Sequence, residues 1–163
     1  MSNKFEILMN QLDMPLEMRN SEAFLNAEIE KVLVHKVSRV WEFHFSFADI
    51  LPIEIFRELQ KRLAQEFSKT GNQAIFEIHC QAPQLSDELL QAYYQLAFEE
   101  GPCASHGFKS LYQDLQVHLD EDKLLIEGPS TIDTEHFRKN HLPNLSRQLV
   151  KYGFPQLTCQ VQH

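Results

Sequence analysis

Val40-Trp41-Glu42-Phe43-His44-Phe45-Ser46-Phe47 alternates large rings with smaller or polar side chains at a strict period of two. Such alternation is the pattern of a strand with one face buried and the other wet. Trp41, the only tryptophan of the chain, shares the apolar face with Phe43, Phe45 and Phe47. Apolar surface removed from water contributes roughly 25 cal/mol per Å², so neighbouring segments are expected to cover these rings. Upstream, Val32 and Val34 alternate in the same way, and a turn near Val37-Ser38 returns the chain. That turn sets Val34 opposite Trp41, Val32 opposite Phe43, His35 opposite Val40 and His44 opposite Lys31, with both valines on the buried face. Downstream, Pro52 stands where a helix takes its first residue. Ile55, Phe56, Leu59, Leu63 and Phe67 then form one apolar stripe, the natural lid for the aromatic strand. Gly71 ends the connection, and a third strand directs Phe76, Ile78 and Cys80 inward and Glu77 and His79 outward.

The flanking segments extend this unit and then repeat it. Phe5, Leu8, Met9 and Leu12 fall at helical spacing before Pro15, and Ser21 can cap a short helix carrying Phe24 and Leu25. Ala82-Pro83-Gln84 marks a boundary. Beyond it, Ser86 caps a helix through Leu89, Tyr93 and Leu96 that stops at Gly101-Pro102, with Leu90, Tyr94 and Phe98 giving it a second apolar side. A short helix around Phe108, Leu111 and Tyr112 precedes a hairpin in which Leu115, Val117 and Leu119 turn at Asp120 to Lys123 into Leu124 and Ile126. Thr131 or Asp133 caps a further helix, interrupted near Pro143 and resumed through Leu145, Leu149 and Tyr152. Gly153 ends it, and Leu157, Cys159 and Val161 alternate. Each half therefore reads helix, short helix, hairpin, helix, glycine, strand. The fold class expected is α+β, with two tandem domains, 1–82 and 83–163, each a three-stranded sheet covered by helices. The halves share little identity; what repeats is the architecture, which points to an ancient duplication.

Composition narrows the function classes. Hydrophobic residues at 43% and charged residues at 23% describe a globular protein. The net charge of −8 divides as −3 over 1–82 (9 basic, 12 acidic) and −5 over 83–163 (6 basic, 11 acidic). Neither half is basic, which argues against nucleic-acid binding through bulk electrostatics. Cys80, Cys103 and Cys159 are odd in number and show no C-x-x-C spacing, as expected of reduced thiols in a cytoplasmic protein. Neither a signal peptide nor a membrane-spanning apolar run is evident.

Every reactive pattern has a plainer account. His35, His44 and His79 share the outer face of the first sheet with Glu42 and Glu77. A metal needs donors within about 2 Å of one ion, whereas the hairpin register separates His35 from His44 along the sheet. Cys103 and His106 have no second ligand pair, and His136 and His141 point to different sides of a helix. Asp120-Glu121-Asp122 reads as a hairpin turn, not a two-metal site. Ser105-His106 lacks a G-x-S-x-G elbow. Arg57, Lys61, Arg62, Arg138, Lys139, Arg147 and Lys151, beside Glu54, Glu58 and Glu135, read as ion-paired helix faces. No catalytic residue, metal, cofactor or small-molecule substrate is therefore expected. Glu42, His44, Glu77 and His79 are left as a candidate partner-binding surface. The element order is that of the type II KH fold, whose members grip nucleic acid with a G-x-x-G loop between helices. No glycine occurs in 52–69, and the second half offers only Asn140-His141-Leu142-Pro143. These units are expected to be KH-like in shape, without the grip that direct nucleic-acid contact would use.

Asn3-Lys4-Phe5-Glu6-Ile7-Leu8, Arg39-Val40-Trp41-Glu42-Phe43-His44-Phe45, Leu51-Pro52, His136-Phe137 and Tyr152-Gly153-Phe154 resemble the N-terminal region of the PolC-type α subunit of bacterial DNA polymerase III. This is the large replicative polymerase of low-GC Gram-positive bacteria. The resemblance covers essentially the whole chain, and its most specific part is W-E-F-H after a hairpin. It implies two consecutive small domains similar in fold to the C-terminal domain of the clamp-loader τ subunit. It further implies a non-catalytic stretch of a DNA-directed DNA polymerase with 3'-5' exonuclease activity, whose OB-fold, PHP, exonuclease and polymerase modules would follow residue 163. The expected role in DNA replication is a protein-interaction module that tethers the polymerase to a replisome partner: the τ subunit, primase, helicase or clamp. The alternative is a KH-like module contacting single-stranded nucleic acid near the polymerase.

Overall fold

The computed structural model describes residues 3–100, 115–128 and 138–162. Cys103, Ser105, His106, the segment around Phe108 to Tyr112, Thr131, Asp133, Glu135 and His136 lie outside the described residues. The chain divides into two compact units, one of Met1–Gln84 with Lys151–Gly153 and one of Leu85–Val150 with Phe154–His163.

In the first unit, α1 (Asn3–Gln11), α2 (Leu16–Arg19) and a 3-10 turn (Glu22–Phe24) lead into β1 (Glu28–His35) and β2 (Val40–Phe47). Next come α3 (Ile53–Ser68) and β3 (Gln73–Cys80). The sheet order is β1-β2-β3, with β2 antiparallel to β1 and parallel to β3. A hairpin builds the first pair, and α3 supplies the crossover that a parallel pair requires. The register follows the sequence pattern: Val34 pairs with Trp41, Val32 with Phe43, His35 with Val40 and Lys31 with His44.

The rings of β2 are the centre of this unit. Phe43, Phe45 and Phe47 are buried, and Trp41 is half-buried. Phe45 lies 5.7 Å from Phe5 of α1, 5.6 Å from Phe76 of β3, and 5.7 and 5.5 Å from Phe43 and Phe47. Phe67 of α3 sits 5.2 Å from Trp41 and 5.5 Å from Phe43. Edge-to-face arrangements at these distances contribute beyond the area they bury. Ile55, Phe56, Leu59 and Leu63 are buried as the stripe predicts. Tyr152, which belongs to the same unit, sets its ring 5.2 Å from Phe56. Gly71 closes the α3–β3 connection at φ +74°, where a side chain would be strained.

Several expectations need correction. Val32 and Val34 face the helix side but stay 36% and 46% exposed. β1 is an edge strand, paired on one side only; α1 packs on β1 and α3 on β3, and these two side chains at the sheet's edge stay part-exposed. Leu25 is exposed, because the segment after Ser21 is a single 3-10 turn that buries only Ala23 and Phe24. Pro52 occupies the cap position of α3, one residue before the first helical one.

In the second unit, α4 (Asp87–Glu99) precedes β4 (Gln116–Asp120) and β5 (Lys123–Glu127). α5 (Leu142–Lys151) and β6 (Thr158–Gln162) follow. The order β4-β5-β6 again has its middle strand antiparallel to the first and parallel to the last. Ser86 caps α4 by accepting from the Leu89 amide at 3.1 Å. The helix buries Leu90, Tyr93, Tyr94, Leu96 and Ala97, so both of its apolar sides are used. Asp87 accepts from the Leu119 amide at 2.9 Å, and Gln91 donates to the Val117 carbonyl, tying α4 to β4. Glu121 and Asp122 form the turn between β4 and β5, with Glu121 at φ +55°. Pro143 falls in the first turn of α5, where its missing amide costs nothing. Both three-stranded sheets are thus covered by helices in an α+β fold.

A candidate interaction surface on the first sheet

Directly paired residues of neighbouring strands share a face, so the register defines what lies outside. Lys31, His44 and Glu77 form one outer row, and Leu33, Glu42 and Ile75 form the next. His35 and Val40 continue toward the turn, and Ser46 and His79 continue the other way. Three of the four candidate residues meet there. The Nε2 of His44 lies 2.5 Å from Oε2 of Glu42, and its Nδ1 lies 3.7 Å from Oε2 of Glu77. His44 therefore sits between two carboxylates, and the His44 and Glu42 side chains are only 18% and 21% exposed. Glu42 holds a second histidine, with His35 Nε2 3.6 Å from Oε1. His79 takes a different partner, Glu30, at 3.5 Å.

The Glu42 carboxyl is held below its ordinary value, first by the His44 hydrogen bond, with burial opposing and the nearby His44 and His35 charges adding to the lowering. This cluster is a chain of hydrogen-bonded and ionic pairs. It has no open nucleophile, and both ring nitrogens of His44 face carboxylates. Among the described residues, no group of three or more His, Cys, Asp or Glu converges as a metal site would. Glu42 bridging two histidines is the feature that opposite-residue pairing does not reveal. His35 lies diagonal to Glu42, and diagonal neighbours on a sheet lie within reach of long side chains.

Arg62 pairs with Glu58 one turn away at 2.5 Å, and Lys69 pairs with Glu66 at 3.0 Å. Arg62 also donates to the Asp13 carbonyl at 2.6 Å and the Leu12 carbonyl at 3.4 Å, which joins the end of α1 to α3. Cys80 is buried beside Asp49, and these two causes, burial first, push its thiol up to about 12. A thiol in that state is not a nucleophile at neutral pH. No helix among the described residues is long and apolar enough to cross a membrane.

Two mixed α+β units, one carrying an ionic sheet face and neither assembling a reactive cluster among the described residues, define a tandem scaffold. Residues 4–78 match the family model described as DNA polymerase III polC-type N-terminus I, and residues 92–163 match that for N-terminus II. The chain belongs to this family, the N-terminal region of PolC-type DNA polymerase III. It is 95% identical over its whole length to the DNA polymerase III PolC-type of Streptococcus sanguinis. It is 64% identical over 99% of its length to the Streptococcus pneumoniae protein, and 51% to that of Streptococcus pyogenes. In each case the chain spans 11% of the relative's length. No solved structure matches it.

Proposed function

We propose that this chain is a non-catalytic protein-interaction module at the front of a replicative DNA polymerase, holding the enzyme to another protein of the bacterial replisome in the cytoplasm. The observation that carries this reading is the match of both units to models of PolC N-termini. The contact surface is the outer face of the first sheet, with Glu42, His44, Glu77 and His79 at its centre. Its partner is the τ subunit, primase, helicase or clamp, and no cofactor is needed. The KH-like description of each unit rests on its element order and mixed three-stranded sheet. α3 runs unbroken through 16 residues without a glycine, so the first unit lacks the loop with which a KH domain holds a phosphate backbone.

Purified τ, primase, helicase and clamp, each passed over the immobilised chain, provide the test. At least one is expected to bind, and the double variant E42A/H44A is expected to weaken that binding at least tenfold while leaving the circular dichroism spectrum unchanged. Recovery of none of the four would refute the tethering role. Tight oligonucleotide binding with a steep salt dependence would replace it with the nucleic-acid reading.

A further inference from the structure

Beyond any replisome contact, and without resting on one, we propose that the open edge of β1 pairs antiparallel with β1 of a second copy of this chain, about a two-fold axis at Leu33. β1 is an eight-residue edge strand with no proline, and no described strand lies on its far side. An edge strand presents a row of unpaired N–H and C=O groups, a template for strand addition. The backbone polarity of the edge follows from the hydrogen bonds behind it. Gln73 donates to the Arg39 carbonyl and Gln81 to the Phe47 carbonyl, so odd-numbered residues of β2 face β3 and even-numbered ones face β1. Leu33 pairs with Glu42 and Lys31 with His44. Their amides and carbonyls therefore point into the sheet, and those of Val32 and Val34 point to the open edge.

The side chains at this edge are apolar on both faces: Val32, Leu33 and Val34 are 36%, 40% and 46% exposed. Placing Leu33 on the axis sets Val32 opposite Val34 of the second copy. Each symmetry-related pair then exchanges both its hydrogen bonds, and the valines meet on the helix side. Leu33 meets its own copy on the outer side. The same register brings Glu30 level with Lys36 of the other chain. Sliding the strands by two residues in one direction puts Lys31 against Leu33, and in the other puts Lys36 against Val32. Of these registers, only the one centred on Leu33 pairs all three exposed apolar residues, Val32, Leu33 and Val34, with one another. The bulge between Ile29 and Lys31 limits pairing to the C-terminal half of the strand. The interface is correspondingly small and the association weak.

Sedimentation equilibrium of the 163-residue chain, loaded from about 10 µM to 1 mM, where contacts of this size dissociate, is expected to show a monomer–dimer equilibrium. Leu33→Lys should shift the midpoint at least tenfold upward. Ile75→Lys, in the same outer row but at the β3 edge and at least as exposed as Leu33, should leave it in place. Leu33→Cys should form a disulfide-linked dimer under mild oxidation, since paired residues on the axis are about 4.5 Å apart, within disulfide reach. Val37→Cys, on the fully exposed turn, should cross-link no faster than the wild-type chain. A monomer at all concentrations overturns the proposal. So does a dimer that survives Leu33→Lys, or a Val37→Cys chain that cross-links as fast as Leu33→Cys. Binding of an extended foreign peptide to β1 by a chain that stays monomeric would likewise assign the edge to another occupant.

Discussion

Phe45→Ala is the perturbation that bears most directly on the first unit. Phe45 is 1% exposed and meets Phe5, Phe43, Phe47 and Phe76 at 5.5 to 5.7 Å. These partners come from α1, β2 itself and β3, so the ring ties the helix layer to the sheet. Truncating a buried phenylalanine to alanine costs about 3–5 kcal/mol, combining lost transfer energy with the cavity left behind. At 0.05–0.15 kcal/mol per residue, a unit of this size holds about 4–13 kcal/mol in all. The substitution therefore consumes a large share of the total. Phe45→Leu keeps most of the apolar volume and loses the ring geometry, and is expected to cost about 1–2 kcal/mol.

Trp41 makes the measurement clean. It is the only tryptophan of the chain, and its ring lies 5.2 Å from Phe67, so its fluorescence reports the first unit alone. With a urea slope of about 1 to 1.5 kcal/mol per M for a domain this small, Phe45→Ala should lower the midpoint by about 2–5 M. Phe45→Leu should lower it by about 1 M on the same slope. An Ala variant within about 1 kcal/mol of wild type, at unchanged slope, would refute the placement of this ring at the centre of the core.

Three further outcomes are expected. Arg62→Ala should destabilise the first unit by about 1–2 kcal/mol through the lost donors to the Leu12 and Asp13 carbonyls. Arg62→Lys should recover only part, because an ammonium cannot span both carbonyls and Glu58; urea titration checks both. The lowered Glu42 carboxyl contributes stability that is fully present above its ordinary value of 4.5 and lost as pH falls through the depressed one. Denaturation midpoints between pH 3 and 7 should therefore fall at the acid end, and less so in Glu42→Gln. Cys80, with its thiol at about 12, should resist iodoacetamide at pH 8 in the folded chain and react once urea unfolds it, as mass spectrometry of the alkylated peptide would show.

Much of this fold is legible in the sequence for reasons that particular residues make plain. The alternation from Val40 to Phe47 has only one register with Val32 and Val34 that keeps apolar faces together, and that register is the one observed. Ser86, Gly71 and Pro143 sit where helix ends need them. The exposure of Val32 and Val34 was not legible, because periodicity gives the face of a strand and not how far a helix reaches across it. Leu25 misled for a similar reason: one capped turn satisfies Ser21 without a helix long enough to carry Leu25 inward. At the candidate surface, pairwise register kept His35 and His44 apart. The reach of a single glutamate brought both onto Glu42.

Comparing the two sheets row by row separates what packing constrains from what it leaves open. The inner rows are alike in kind: Phe43 and Phe45 in the middle strand of the first sheet, Leu124 and Ile126 in that of the second, all buried. The outer rows differ. In the first sheet the middle strand presents Glu42 and His44 between Leu33, Ile75, Lys31 and Glu77. In the second, Leu125 stands between His118 and Gln160, and Lys123 between Asp120 and Thr158. No carboxylate–histidine chain occupies the second outer face among the described residues, although the scaffold offers the same positions. A core can hold many sequences so long as volume and pattern are kept, which accounts for two copies with little identity and one architecture. An outer face free of packing demands diverges unless something outside the chain holds it. The Glu42–His44 pairing of the first sheet is therefore a feature that the shared scaffold does not itself require.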